Sequence, residues 1–336
     1  MNQHTAYQKL LEQFKKVSLL ECASSLGEWD QDTYMPPKGV NTRAEVMATL
    51  TGLMHEKTSD PRVGEWLAAC EKTGLTHDVT STTAVNIKEW RRQYDKAVQV
   101  PQKLAEAIAQ TASLAKQAWV EARKEDHFGK FEPKLTQLVG LIKQKAQCFG
   151  LAIPYDVLID YFEPEATSIQ ITEIFKQLKT ELVPLMQKII NSKKYSDDSP
   201  CHGAYPLETQ KKLALEAIQT IGFDLEAGRA DTTAHPFSLT VGANDVRLAT
   251  RYSPDCFNDT FFCLMHESGH GLYEQGLPEE HYGTPRGRTV SVGIHESQSL
   301  FWENMIGRSL GFWQYFYPHV QKAFPQNLAR VSVDAF

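Results

Sequence analysis

Two histidines four residues apart, in a stretch that reads as helix, constrain this chain more than any other feature. They are His266 and His270, in DCFNDTFFCLMHESGHGLYEQG. On an α-helix, four residues give an offset of roughly 40° and a rise of about 6 Å, so the two imidazoles share one face. They can converge on one metal ion. Glu267 lies roughly 100° further round the helix. That puts it beside such an ion rather than on it, where a general base for a metal-activated water belongs. Ser253, Pro254 and Asp255 mark a start for this helix and Gly276 a stop. Phe257, Phe261, Leu264, Met265 and Leu272 supply apolar faces for burial. Gly269 and Gly271 each cost about 1 kcal/mol relative to alanine in a helix interior, which predicts close approach of another element beside His270. The rival reading of the motif is an ordinary core helix with two satisfied histidines.

A catalytic zinc site commonly takes three protein ligands and leaves a position open, with two histidines and a glutamate a frequent set. Glu296 is the third ligand expected here, in GIHESQSLFWENMIG, 26 residues after His270. Leu300, Phe301, Met305 and Ile306 give that segment the pattern of an amphipathic helix. An acidic residue favoured at a helix N-terminus is the alternative for Glu296. Glu303, two turns along the same face, could orient a ligand; more simply it is a structural or solvated glutamate. His295 should point away from the ion and is assigned a supporting or substrate-contacting place. Cys263, one turn before His266, is either a soft fourth ligand or a small buried hydrophobe, the commoner use of such a residue. The donor set suits Zn²⁺, and Co²⁺ would fit the same ligands.

The remainder of the chain bounds the class. With 336 residues, 42% hydrophobic and 23% charged, it is a globular chain large enough for a sizeable core. Its net charge of −6 argues against nucleic acid or an anionic membrane as the main partner. The opening MNQHTAYQKLLEQFKK reads as an amphipathic helix rather than a leader, and no apolar run approaches the roughly 20 residues that span a bilayer. Six scattered cysteines without a CxxC pair fit a reducing compartment, so a cytoplasmic protein is expected. Helical periodicity recurs near residues 5–24, 41–57, 61–73, 78–98, 101–124, 130–149, 168–192 and 207–222. Asp60 and Pro61 form an N-cap and first turn, Gly27–Pro37 reads as a break, and 191–203 as a polar loop. No linker or repeat divides the chain, so 1–336 is read as one helical domain.

At residue 235 the pattern changes. Ser238–Val241 alternates, Gly242-Ala243-Asn244 turns, and Val246–Thr250 alternates again, predicting a short antiparallel hairpin before the metal helix. A strand edge there offers main-chain groups to an extended peptide. Asp245 either orients a metal-binding imidazole or pairs with Arg247 to fix the hairpin. His235, before Pro236, either lines the cleft or serves as a turn histidine.

HESGH followed at this distance by GIHESQSLFWEN resembles the carboxypeptidase Taq family of thermostable metallocarboxypeptidases. AHPFSLTVGANDVRLATRY (234–252) resembles that family's HPF and DxRxT segments, and LGEWDQDTYMPPKGVNTRAEVMATL (26–50) its N-terminal WDQ-x-T-x-MP region. Thr250 comes one place late for DxRxT. The family's IRxxAD-like and GxxQDxHW-like segments, which complete its substrate pocket, do not appear before Phe336, so a C-terminally truncated domain is expected. The resemblance implies a mainly α, zincin-like helical metallopeptidase with a small antiparallel β element beside the metal helix. It also implies removal of C-terminal residues from peptides, a cleft reached by His235, and compatibility with a homodimer. Spacing alone does not separate carboxypeptidase from endopeptidase or aminopeptidase activity. A cation must clamp the substrate's terminal carboxylate, and Arg247, Arg286 and Arg288 are candidates. The competing expectation is a catalytically impaired metal- or peptide-binding helical fragment.

Overall fold

Apolar residues at helical spacing open the chain, and in the computed structural model, which describes residues 3–195 and 197–336, they build a helix longer than that spacing alone predicts. Helix α1 spans Gln3–Thr33 and continues through the expected break at Gly27. Tertiary contacts override the glycine. A Cβ at Gly27 would sit 3.2 Å from the Met47 sulfur, Trp29 is buried, and Arg43 donates to both the Gly27 carbonyl and the Asp30 carboxylate. The chain leaves the helix only at Tyr34 and Met35, whose N–H groups both return to the Asp30 carbonyl before Pro36 extends it.

Six further helices follow: α2 (Val40–Ser59), α3 (Pro61–Glu71), α4 (Thr82–Gln99), α5 (Gln102–Lys124), α6 (Glu132–Gln147) and α7 (Pro154–Phe162). The Asp60 carboxylate caps α3 by accepting from the Arg62 N–H at 2.9 Å. Helix α4 starts later than the periodicity suggests, because Ser81 caps it and the residues just before form a turn on Asp78. Leu10, Phe14, Val63, Leu67, Ile87 and Trp90, from α1, α3 and α4, form one core, with Phe14 stacked on Trp90.

Helix α8 (Ser168–Ser192) begins with a full capping box between Thr167 and Gln170. None of its residues is buried: Ile174, Phe175, Leu178, Leu182, Leu185, Met186 and Ile189 are each between 44% and 62% exposed. The expected 191–203 loop is shorter, running from the end of α8 to a 3₁₀ turn at Ser199–Cys201; Ser196 lies outside the described residues.

Helix α9 (Leu207–Thr220) leads into a three-stranded sheet: β1 (Gly228–Thr232), β2 (Phe237–Gly242) and β3 (Asp245–Thr250). Strands β2 and β3 form the antiparallel hairpin expected from alternation, turning at Asn244 with φ 58°. Strand β1 was not expected and pairs parallel to β3, so the sheet is mixed, in the order β1-β3-β2. GRADT lacks apolar alternation, and its inward Asp231 is satisfied by Arg229 and Tyr34 rather than replaced by a hydrophobe.

Helix α10 (Phe257–Gln275) lies between the sheet and the last helices. Its Phe257, Phe261 and Met265 enter a core with Leu213 of α9 and Trp313, Phe316 and Val320 of the C-terminal region, while Leu264 meets Val246 and Leu248 of β3. Burying each such side chain contributes about 1.5–3 kcal/mol, so the helix is held on two faces. Both glycines of its middle are spent on close approach. A Cβ at Gly269 would lie 2.6 Å from the Gln298 carbonyl oxygen and the Ser299 Cα; one at Gly271 would lie 2.6 Å from the Phe223 ring.

The element behind Gly269 is α11 (Val292–Leu300), continued by a π-helical turn at Phe301–Ile306 instead of the uniform helix the periodicity suggests. Helices α12 (Leu310–Ala323) and α13 (Pro325–Leu328) complete the chain. No described helix is long and apolar enough to cross a membrane, and all six cysteines are free.

Candidate metal centre

Helix α10 carries His266 and His270 on one face, their ring centroids 5.1 Å apart, and close packing at Gly269 draws α11 against it so that Glu296 reaches both. One Glu296 oxygen stands 3.7 Å from His266 Nε2 and the other 3.3 Å from His270 Nε2. One ligand atom from each residue lies within 4.8 Å of the others. Donors bound tetrahedrally at zinc distances are roughly 3.4 Å apart, so this spacing fits an ion at their common focus. Among the described residues this is the one such cluster of three.

Glu267 is 7% exposed. Burial, with the Glu296 carboxylate adding to it, pushes its carboxyl up to about 8. Burial, with His295 and His266 close by, pushes His270 down to about 4. At neutral pH its ring is therefore neutral, and a neutral imidazole is the form that can ligate. Glu267, His266 and His270 line a cavity of about 540 Å³ together with His235, Phe237, Ser238, Arg251, Cys263 and His295.

The other expected residues fall as follows. His235 lines this cavity and meets the Trp119 ring edge-on at 6.0 Å. His295 stacks on His270 at 4.4 Å between centroids and hydrogen-bonds Glu274 through Nε2 at 3.0 Å. Both Asp245 oxygens accept from Arg247, at 2.8 and 2.9 Å, and the Arg247 guanidinium lies 4.3 Å over Trp29. That is the hairpin-fixing alternative, so the imidazole-orienting task does not fall to Asp245. It is Glu303 that reaches a histidine of the cluster: its Oε2 is 3.0 Å from His266 Nδ1, the contact that the ligand-orienting reading of Glu303 expects rather than a purely structural or solvated glutamate. Arg288 is paired with Glu21 and Ser18, away from the cavity. Cys263 borders the cavity but is outside the ligand cluster, and burial pushes its thiol up, away from the thiolate form a metal needs.

Sequence reasoning missed Glu274 and Arg251. Glu274 follows His270 by four residues, so helical spacing could have found it. Arg251 lies just past the end of β3, and only the fold brings it to the cavity.

The family model of carboxypeptidase Taq (M32) metallopeptidases matches residues 9–336. Thermostable carboxypeptidase 1 of Thermus thermophilus is 44% identical over all of this chain and 68% of its own length. Carboxypeptidase 1 of Bacillus subtilis is 35% identical over all of this chain and 67% of its own. The crystal structure of the M32 carboxypeptidase from Deinococcus radiodurans superposes with a TM-score of 0.86 at 31% identity, covering 98% of this chain and 66% of that one. The chain thus spans about two thirds of the length of these relatives. A divalent metal is part of the family's chemistry, and three donors of this chain converge as such an ion requires. The chain belongs to the carboxypeptidase Taq (M32) metallopeptidase family, and the activity that goes with it is metal-dependent carboxypeptidase activity.

Proposed function

We propose that His266, His270 and Glu296 hold the divalent ion, that the ion is Zn²⁺, and that Glu267 is the general base for hydrolysis of a peptide's C-terminal bond. The observation that carries this reading is the convergence of the three donors, two of which, His266 and His270, line one cavity with the buried Glu267. Two imidazoles and a carboxylate are a zinc set, and Co²⁺ fits the same donors. The bound ion supplies a Lewis acid and a water whose pKa falls from about 15.7 towards 7.

The chain's own residues then do the following. Glu267 accepts a proton from the attacking water and returns it to the leaving amine. A carboxyl whose protonation is favoured by burial is suited to the second of these transfers. The His295 ring, held by Glu274, backs His270 so that its lone pair stays aimed. Strand β2 is an edge strand, and its start at Phe237 and Ser238 lines the cavity, so its main chain can receive the peptide in extended form. Arg251 is the arginine of that lining and the residue we assign to meet the terminal carboxylate. His235 stands on the same wall as a substrate contact.

The reading extends to a single helical domain over 1–336. It also extends to a cytoplasmic enzyme, on the six free cysteines, and to a homodimer, which light scattering would settle. The functional test is release of amino acid from an unblocked peptide in the presence of metal, comparing wild type with Glu267→Gln. A loss of about 10²–10⁴-fold in kcat with metal binding retained is expected. Equal rates in the two proteins would end the proposal.

A further inference from the structure

An imidazole that gives one nitrogen to a metal must carry its proton on the other, and whatever accepts that proton's hydrogen bond sets the ring's tautomer and aim. The two candidate imidazoles of α10 differ in this respect. The Nδ1 of His270 is buried and has no hydrogen-bond partner among the described residues; its ring is held by stacking on His295. The His266 ring is held between two carboxylates of one segment. Glu296 of α11 stands at its Nε2, and Glu303 of the following π-helical turn stands at its Nδ1, 3.0 Å away. A π-turn inserted in a helix re-aims the side chains that follow it and recurs at functional sites.

Glu303 is itself held. Its other oxygen accepts from Arg308 Nη2 at 3.1 Å, and Arg308 Nε donates to Asn304 at 3.1 Å while its guanidinium lies 3.8 Å over the Phe262 ring. The side chain of Glu303 is 19% exposed, so its hydrogen bonds are partly shielded from water and correspondingly more directive. Arg308 thus holds the carboxylate from the side opposite to the oxygen that meets His266.

We infer that Glu303, clamped by Arg308, is the positioning residue of the metal centre: it holds His266 as the Nδ1–H tautomer and so directs the Nε2 lone pair to the focus shared with His270 and Glu296. This rests on the reading of His266 as a metal ligand. The competing possibility is that the Glu303–Arg308 pair only ties down the π-turn, and the two make different predictions.

The test uses the full chain in four variants: Glu303→Gln, Glu303→Ala, Arg308→Met and His266→Ala. Zn²⁺ affinity is measured by competition with a chromophoric chelator. The tautomer of His266 is read from long-range ¹H–¹⁵N spectra of the metal-free protein at a pH where the ring is neutral. Glu303→Ala should weaken Zn²⁺ binding by about tenfold to a hundredfold and move His266 away from the Nδ1–H form. Glu303→Gln keeps an oxygen that can accept from Nδ1–H, so it should retain the tautomer and lose less affinity. Arg308→Met should lose less than Glu303→Ala. Unchanged affinity and tautomer in Glu303→Ala would overturn the inference. So would equal losses in the Gln and Ala variants with the tautomer intact, which is the signature of a turn that has merely loosened. If Glu303→Ala does not fold, retention of the tautomer and a smaller loss in the Gln variant carry the test. His266→Ala separates the layers: wild-type affinity there would remove the ligand reading itself, whereas lost affinity there beside unaffected Glu303 variants removes only the present inference.

Discussion

Replacing Gly269 by alanine should damage the metal centre through the backbone of a neighbouring helix, without touching a ligand. The new Cβ would meet the Ser299 Cα and the Gln298 carbonyl oxygen at 2.6 Å, where ordinary contact begins at 3.4 Å. Both neighbours are main chain, so no side chain can swing aside, and α11 must retreat by about 0.8 Å. Overpacking of this kind costs about 1–3 kcal/mol, offset by about 1 kcal/mol from alanine's better helix propensity. The net effect on folding is therefore small to moderate. The effect on the site is larger, because Glu296 rides on α11 and ligand geometry tolerates only about 0.5 Å. Zn²⁺ affinity should fall by about tenfold or more, measured by chelator competition beside thermal melting of the metal-free protein. Gly140→Ala is the control: nothing lies within 4 Å of its added Cβ in α6, so it should gain about 0.4–1 kcal/mol and leave metal binding alone. If Gly269→Ala behaves like Gly140→Ala on both counts, the packing argument is wrong.

Other outcomes follow from the same structure. In metal-free protein the folded value of about 4 for His270 lies below its ordinary 6.5, so its contribution is present above pH 6.5 and lost as pH falls through 4. For Glu267 the folded value of about 8 lies above its ordinary 4.5, so its contribution is present below pH 4.5 and lost as pH rises through 8. The two slopes oppose between 4.5 and 6.5, which leaves a fall of about 2 kcal/mol between pH 6.5 and 8. Urea midpoints of chelator-treated protein should show that fall, and a flat profile would contradict it. Arg251→Met should raise KM more than it lowers kcat and should narrow the preference for a free over an amidated peptide terminus; an undiminished preference would assign the clamp elsewhere. Leu178→Glu, on the exposed face of α8, should shift stability by no more than about 0.5 kcal/mol, whereas Leu264→Ala in the core beneath the sheet should cost about 2–5 kcal/mol. A large loss in the former, by denaturant unfolding, would mean that α8 is covered in solution.

What could be read from the sequence was whatever local physics decides. Asp60-Pro61 starts α3 because a cap and a pre-set φ act within one turn. The extent of α8 follows from a capping box and a clean period, although nothing covers its apolar face. The close approach implied by Gly269 and Gly271 was legible because glycine in a helix interior is costly unless something needs the room. What could not be read depends on partners distant in sequence. Trp29 and Arg43 carry α1 past Gly27, and Asp231 is satisfied by Tyr34, from a helix end 197 residues away, which lets a strand without apolar alternation enter the sheet. The choice between two tasks for Asp245 turned on Arg247, two residues on, and was open in the sequence because both partners were chemically suitable. For Glu303 the sequence left ligand orientation open beside a structural or solvated glutamate, because the π-turn that presents it to His266 breaks the helical period from which its direction would be inferred.

The most direct test is diffraction at the zinc absorption edge from crystals of the metal-loaded protein. A single anomalous peak is expected about 2.0–2.2 Å from Nε2 of His266, Nε2 of His270 and one carboxylate oxygen of Glu296, with Glu267 beside the ion and not bound to it. A peak that leaves Glu296 uncoordinated, or that draws Glu267 into the coordination sphere in its place, would contradict the account.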